Sequence, residues 1–232
     1  MPTRGSLREA RKQLGWSQQK AAVTLGVSQS YLSMLEMGER PVPDDLARKF
    51  VRAYRLPPTS LPPTEDRWTP GRVDAQGLAE ELAGLGYPGF AYLRKKHSTK
   101  NPAEVLLDAL AQDRLEARLF EALPWLLLNY WTMDTKWLVE QAKLHDLQNR
   151  LGFVVTLARR ATRRTTHSVA RQNVLESLEL SLKRSLLARE ESLGSTSLSE
   201  TERSWLREHR SKEAKQWNLL TNWRPEALRY VA

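Results

Sequence analysis

Five prolines fall between Leu56 and Gly71, LPPTSLPPTEDRWTPG, at positions 57, 58, 62, 63 and 70. Proline fixes φ and carries no amide donor, so no helix can run through such a stretch. An extended, semi-rigid connector is expected there. The chain therefore reads as three parts: residues 1–56, a proline-rich linker over 57–73, and a larger body over 74–232. Trp68, inside the linker, reads as an anchor onto one of the flanking bodies.

Charge is spread unevenly over these parts. Residues 1–56 hold ten Lys and Arg against five Asp and Glu, a net of +5 out of +9 for the whole chain. The first quarter thus carries more than half of the excess, which favours an anionic partner such as nucleic acid. Cysteine is absent, which excludes disulfides, thiolate metal sites and a Cys nucleophile. His97, His145, His167 and His209 form no pair at helical spacing, so neither a metal nor a cofactor is expected. No apolar run reaches the roughly 18 residues of a membrane span. The opening MPTRGSLREA has no signal-peptide core, and a cytoplasmic location is expected.

Both bodies read as helical. Before the linker, short blocks end at Gly15, Gly26 and Gly38, and new blocks open at Ser17 and Ser28, residues suited to N-caps. A fourth block follows Pro43 and Asp44 and runs to about Tyr54. After the linker, Asp74, the pair Asn101-Pro102 and Asp134 each mark a helix start. Pro124 reads as a break or kink within 114–130, and residues 147–164 follow as a further helix. Residues 168–192 read as one long amphipathic helix with Leu175, Leu178, Leu182 and Leu186 in step. Ser199 and Glu202 have the spacing of a capping box. No strand-like alternation stands out, so the expected fold is all-α.

Within SQQKAAVTLGVSQSYLSMLEMG, residues 17–38, Ala21 is small enough for a close helix crossing and Gly26 permits a tight turn. Leu25, Val27, Leu32 and Leu35 would lock the two helices together, with Leu7 and Leu14 closing the core. The polar side of 28–37 then projects outward, as a helix entering a major groove requires.

The stretch LREARKQLGWSQQKAAVTLGVSQSYLSMLEMGER resembles the XRE, or lambda-repressor-like, helix-turn-helix family over residues 6–56. The resemblance implies a sequence-specific transcriptional regulator on double-stranded operator DNA, usually a homodimer on inverted repeats. It implies base contacts from Gln29, Ser30 and Met34, where Met34 replaces the polar residue often found. Gln18, Ser28, Ser33 and Arg40 take positions that meet phosphates. Arg11 and Glu36 match a pair that forms a structural salt bridge between the first and third helices. Tyr31 stands between two readings, a phosphate contact or packing on the second helix.

Beyond the linker, the apolar segment from Pro124 to Ala161 reads as core, with a face for a protein partner as the alternative. The basic groups Arg159, Arg160, Arg163, Arg164 and Arg94, Lys95, Lys96 read either as solvated charge or as anion contacts. No phosphate-cradling glycine loop, nucleophile elbow or telling carboxylate pair is present, and Glu80-Glu81 and Glu190-Glu191 read as solvated. No enzymatic activity is expected. The blocks LPWLLLNY, DLQNRLGFVVTLA and AKQWNLLTNWRPEALRY resemble helical C-terminal regions of XRE-type regulators encoded beside nucleotidyltransferase-like toxins. This implies an antitoxin and autorepressor that acts at the bacterial nucleoid and neutralises a toxin through its C-terminal domain. A stand-alone dimeric repressor, sensing a ligand among Trp125, Trp131 and Trp137, is the competing expectation.

Overall fold

A computed structural model describes residues 6–60, 68–71, 73–93, 100–162, 168–194 and 198–230. Part of the linker, the basic run Arg94 to Lys96, and Arg163 and Arg164 lie outside the described residues. The chain divides into two compact units, residues 1–66 with 99–101, and residues 67–98 with 102–232.

The first unit holds four short helices: α1 (Ser6–Gln13), α2 (Gln18–Leu25), α3 (Gln29–Met37) and α4 (Asp44–Tyr54). Its core is Leu7, Ala10, Ala21, Ala22, Leu25, Leu32, Leu35, Leu46, Phe50 and Tyr54, all buried. Leu14 and Val27 pack at its margin. Helix α4 supplies the largest side chains. Leu46, Ala47, Phe50 and Tyr54 face inward while Arg48, Lys49 and Arg52 face solvent, an amphipathic pattern in which packing supplies most of the stability of so short a helix.

The second unit contains α5 (Ala75–Gly84), α6 (Pro102–Leu110), α7 (Ala117–Asn129), α8 (Thr135–Leu144), α9 (Gln148–Thr162), α10 (Val169–Lys183), α11 (Glu200–His209) and α12 (Lys212–Gln216). A two-residue parallel pair, Glu191–Ser192 with Leu219–Leu220, is the strand structure among the described residues. The fold is all-α in substance. Helix α9 is central: every residue from Leu151 to Ala158 is buried, and α7, α8, α10 and α12 pack around it.

One close approach explains how α12 reaches α9. Gly152 lies against the fully buried Trp217, and a methyl group there would overlap the indole ring. The indole Nε1 donates to Thr156 Oγ1 at 2.8 Å, and that hydroxyl donates to the Gly152 carbonyl at 2.9 Å. Burying an indole requires a partner for its N–H, and Thr156 provides it one turn along the same helix.

Two sequence expectations change. Helix α7 continues through Pro124, so of the break or kink expected there the break does not occur. A proline inside a helix costs about 3 kcal/mol, but Leu123, Leu126 and Leu127 on either side are buried, each contributing roughly 1.5–3 kcal/mol. Helix α10 stops at Lys183, well short of 192. Asn149 donates to the Leu187 carbonyl at 3.0 Å and accepts from the Leu187 amide at 2.9 Å, and Asn218 adds a bond to that carbonyl at 2.8 Å. With both backbone groups of Leu187 bound to side chains, no helical ladder can form there.

Trp68 is buried in the second unit. Its indole donates to Asp108 at 2.9 Å and its carbonyl meets His145 Nε2 at 2.8 Å. Arg159 pairs with Glu179 at 2.6 Å and with Glu176 at 3.1 Å, and Arg160 pairs with Glu213. These cations are therefore occupied within the fold. Glu81 is buried rather than solvated. Glu191 is half-buried beside Arg150 at 3.2 Å, and burial outweighs that cation to hold its pKa above the usual carboxylate range.

Gly152→Ala is expected to destabilise the second unit by about 1–3 kcal/mol through overpacking. Urea denaturation monitored by circular dichroism measures it, and an unchanged midpoint would contradict the Gly152–Trp217 contact.

Candidate nucleic-acid interface

The first unit assembles a polar face on α3 from local rules. Ser17 caps α2 by accepting the Lys20 amide at 3.1 Å. Helix α2 ends at Gly26, whose φ of 71° is left-handed and suits glycine. The Val27 amide then returns to the Ala22 carbonyl at 3.0 Å, closing the C-terminal turn as helix C-caps do. Two residues later Ser28 accepts the Tyr31 amide at 3.2 Å and opens α3. A connection this short holds the two helices in a fixed relation.

A buried ion pair sets that relation against α1. Arg11 Nε and Nη2 donate to Glu36 Oε1 and Oε2 at 2.6 and 2.9 Å, a fork-to-fork pair. Arg11 Nη1 donates to the Trp16 carbonyl at 2.8 Å, and Gln18 Nε2 donates to Glu36 at 3.0 Å. One carboxylate therefore collects α1, the loop before α2, the first residue of α2, and α3. Burial pushes the Glu36 pKa upward, but hydrogen bonds from Arg11 and Gln18 and the nearby positive charges more than offset it, leaving it lowered. The pair's contribution is thus complete above the unfolded carboxylate value of about 4.3 and is lost as pH falls through the lower folded value.

Aromatic packing supports the same corner. Tyr54 meets Trp16 edge-on at 5.9 Å and Phe50 at 5.1 Å. Burial, with Glu36 nearby, pushes the Tyr54 hydroxyl up to about 12. Lys20 Nζ lies 5.2 Å above the Trp16 ring, a cation–π contact that keeps the lysine close to the start of α2.

Residues 7–61 match the family model described as helix-turn-helix. The N-terminal unit is a helix-turn-helix DNA-binding domain. Searches of curated proteins and of solved structures give no match.

In this helix-turn-helix domain, Gln29 and Ser30 are exposed in the first turn of α3. Ser28 is exposed but engaged: besides capping Tyr31, its hydroxyl lies 3.3 Å from that of Ser30. Met34 and Ser33 are half-buried, further along α3. Arg40 is exposed beyond Gly38, whose φ is 72°. Gln18 is half-buried and tied to Glu36, so its amide is held in place from inside. Tyr31 packs against the domain core, whereas Met37 is 54% exposed.

The sequence reading passed over Trp16, Phe50 and Tyr54 as supports of this face. Their signal was available in the spacing of Leu46, Phe50 and Tyr54 on one side of α4. Arg48, Lys49, Arg52 and Arg55, counted in the basic excess of residues 1–56, are exposed along that helix and just past it.

Arg11→Ala should destabilise the helix-turn-helix domain by about 3–5 kcal/mol, because Glu36 would stay buried without its counter-ion. The double change Arg11→Met with Glu36→Leu should recover most of that loss. Chemical denaturation of the three proteins measures both, and an Arg11→Ala effect below about 1 kcal/mol would contradict the pair's role.

Proposed function

We propose that the protein is a sequence-specific transcriptional regulator that binds operator DNA as a homodimer, with Gln29 and Ser30 reading base edges. The observation that carries this reading is the division of labour on the domain's polar residues. Arg11 and Glu36 are spent on each other, with one Gln18 N–H drawn in, while Gln29 and Ser30 stand exposed at the start of α3. Gln29 has the amide to pair bidentately with adenine, and Ser30 suits several bases. Met34 would add apolar contact, for instance with a thymine methyl, from its half-buried position. Ser28, Ser33, Gln18 and Arg40 are assigned to phosphates, which position the domain without reading sequence. A single small domain binds weakly, so two copies on an inverted repeat supply the affinity.

We further propose that it is the antitoxin and autorepressor of a toxin–antitoxin operon, acting by binding rather than catalysis, and that the C-terminal helical unit neutralises the toxin. Support comes from the resemblance of LPWLLLNY, DLQNRLGFVVTLA and AKQWNLLTNWRPEALRY to such regulators. Leu123 to Leu128 and Leu151 to Ala158 are buried. The resemblance thus speaks for a shared scaffold, and a partner would be met by other, exposed residues of that unit.

Gln29→Ala combined with Ser30→Ala should reduce discrimination between the gene's own upstream DNA and random DNA by roughly 1–3 kcal/mol per lost base contact. Arg40→Ala should weaken both about equally and flatten the salt dependence. Fluorescence anisotropy at several salt concentrations measures these, and an equal effect of the Gln29/Ser30 change on both DNAs would overturn the assignment.

Co-expression with the product of the adjacent gene should yield a stable complex and relieve growth arrest. Separate elution of the two proteins with no protection would sink the antitoxin reading.

A further inference from the structure

A cavity of about 450 Å³ opens within the C-terminal unit beside Tyr87, at the start of α7 and against the segment from Trp223 to Tyr230. Its size lies in the range of small-molecule sites, roughly 300–1,000 Å³. Among the described residues its lining does not include Trp125, Trp131 or Trp137, the set that the sequence pointed to, although Trp125 packs behind Tyr87.

Its lining is chemically selective. Trp223 and Tyr230 supply the accessible aromatic surface, backed by the Tyr87 ring. Tyr87 is 2% exposed and is fixed edge-on by Tyr230 at 5.3 Å and Trp125 at 5.3 Å. Trp223 is braced by Phe120 at 4.9 Å. Gly89 follows so closely that a Cβ there would press on the Tyr87 ring and its hydroxyl. The aromatic wall is thus built into the fold rather than left loose.

The charged lining is Arg118, Arg229 and Glu121. Glu121 Oε1 accepts the Arg229 amide at 2.9 Å, which fixes the Trp223–Tyr230 segment over α7. Glu121 is only 13% exposed, and the Arg229 guanidinium stays 4.0 Å from it with 80% of its side chain free. Arg118 lies over the Tyr92 ring at 5.9 Å. Two guanidinium groups and one carboxylate leave a single net positive charge beside an aromatic wall.

We propose that this cavity binds a small aromatic carboxylate, its ring against Trp223 and Tyr230 and its carboxylate on Arg118 and Arg229. Guanidinium matches carboxylate in a planar, two-bond geometry. Glu121 sets the charge limit: a dianionic phosphate would meet a fixed negative group that a monoanion tolerates better. The site uses residues of the helical unit alone, so it stands or falls apart from the DNA-binding reading.

The test is isothermal titration calorimetry of the full chain with 2-naphthoate, 2-naphthamide, acetate and 2-naphthyl phosphate. Saturable one-to-one binding of 2-naphthoate is expected, at least tenfold tighter than the other three. Arg118→Gln and Arg229→Gln should each weaken it about tenfold or more, as loss of a charge-assisted hydrogen bond does. Both side chains are exposed, so folding should survive, and an unchanged circular dichroism spectrum checks this. Absence of naphthoate binding, equal binding of the amide, tighter binding of the phosphate, or naphthoate binding indifferent to both arginine changes would each overturn the proposal.

Discussion

Glu36 is a carboxylate withdrawn from water, and the geometry of the helix-turn-helix domain depends on what surrounds it. A buried charge without a partner costs several kcal/mol, so the fold tolerates Glu36 only when Arg11 and Gln18 reach it together. Those two residues come from the first helix and the start of the second, while Glu36 is on the third. The demand of one charged group is thereby turned into a constraint on three elements. Hydrophobic contacts among Leu25, Leu32 and Leu35 are nearly indifferent to small rotations, whereas a forked guanidinium–carboxylate pair is directional. The pair therefore specifies orientation, and the leucine core supplies most of the driving force.

The helical unit also buries a carboxylate, Glu179, paired by Arg159 and Lys183, but it sets orientation mainly without charge. Its directional element is the Trp217 indole, which lies on Gly152 and donates to Thr156. Asn149 adds a second directional contact through the backbone of Leu187. Both Asn149 and Gly152 sit in the first turns of α9, so that helix carries the main register marks of the unit. Ion pairs from Arg159 and Arg160 to Glu179 and Glu213 then join α9 to α10 and α12 at its far end.

Helix starts were legible because capping is local: Ser17, Ser28, Asp74, Asp134 and Ser199 each accept an amide three residues on. The end of α10 was not, because it is decided by Asn149 and Asn218, 38 and 31 residues from Leu187. The break offered at Pro124 does not occur for a related reason: its local penalty is visible in the sequence, but the burial that outweighs it is tertiary. At the candidate site, the exposure of Gln29 and Ser30 followed from helical periodicity. The half-burial of Met34 did not, and neither did the anchoring of Gln18 from within. The cavity beside Tyr87 had no sequence signature, since its lining comes from three separate segments, 87–89, 117–121 and 223–230.

The exposure of Gln29 and Ser30 also has an evolutionary side. Neither side chain is part of the domain core, and apart from the 3.3 Å contact of Ser30 with the Ser28 cap hydroxyl, substitutions at such surface positions usually change stability by about 0.5 kcal/mol or less. Residue identity at these positions is therefore free to drift by single steps without unfolding the domain. Arg11 and Glu36 face the opposite situation, because either change alone passes through a damaged intermediate. A lineage of such proteins would diversify on this exposed face while its framework stays frozen.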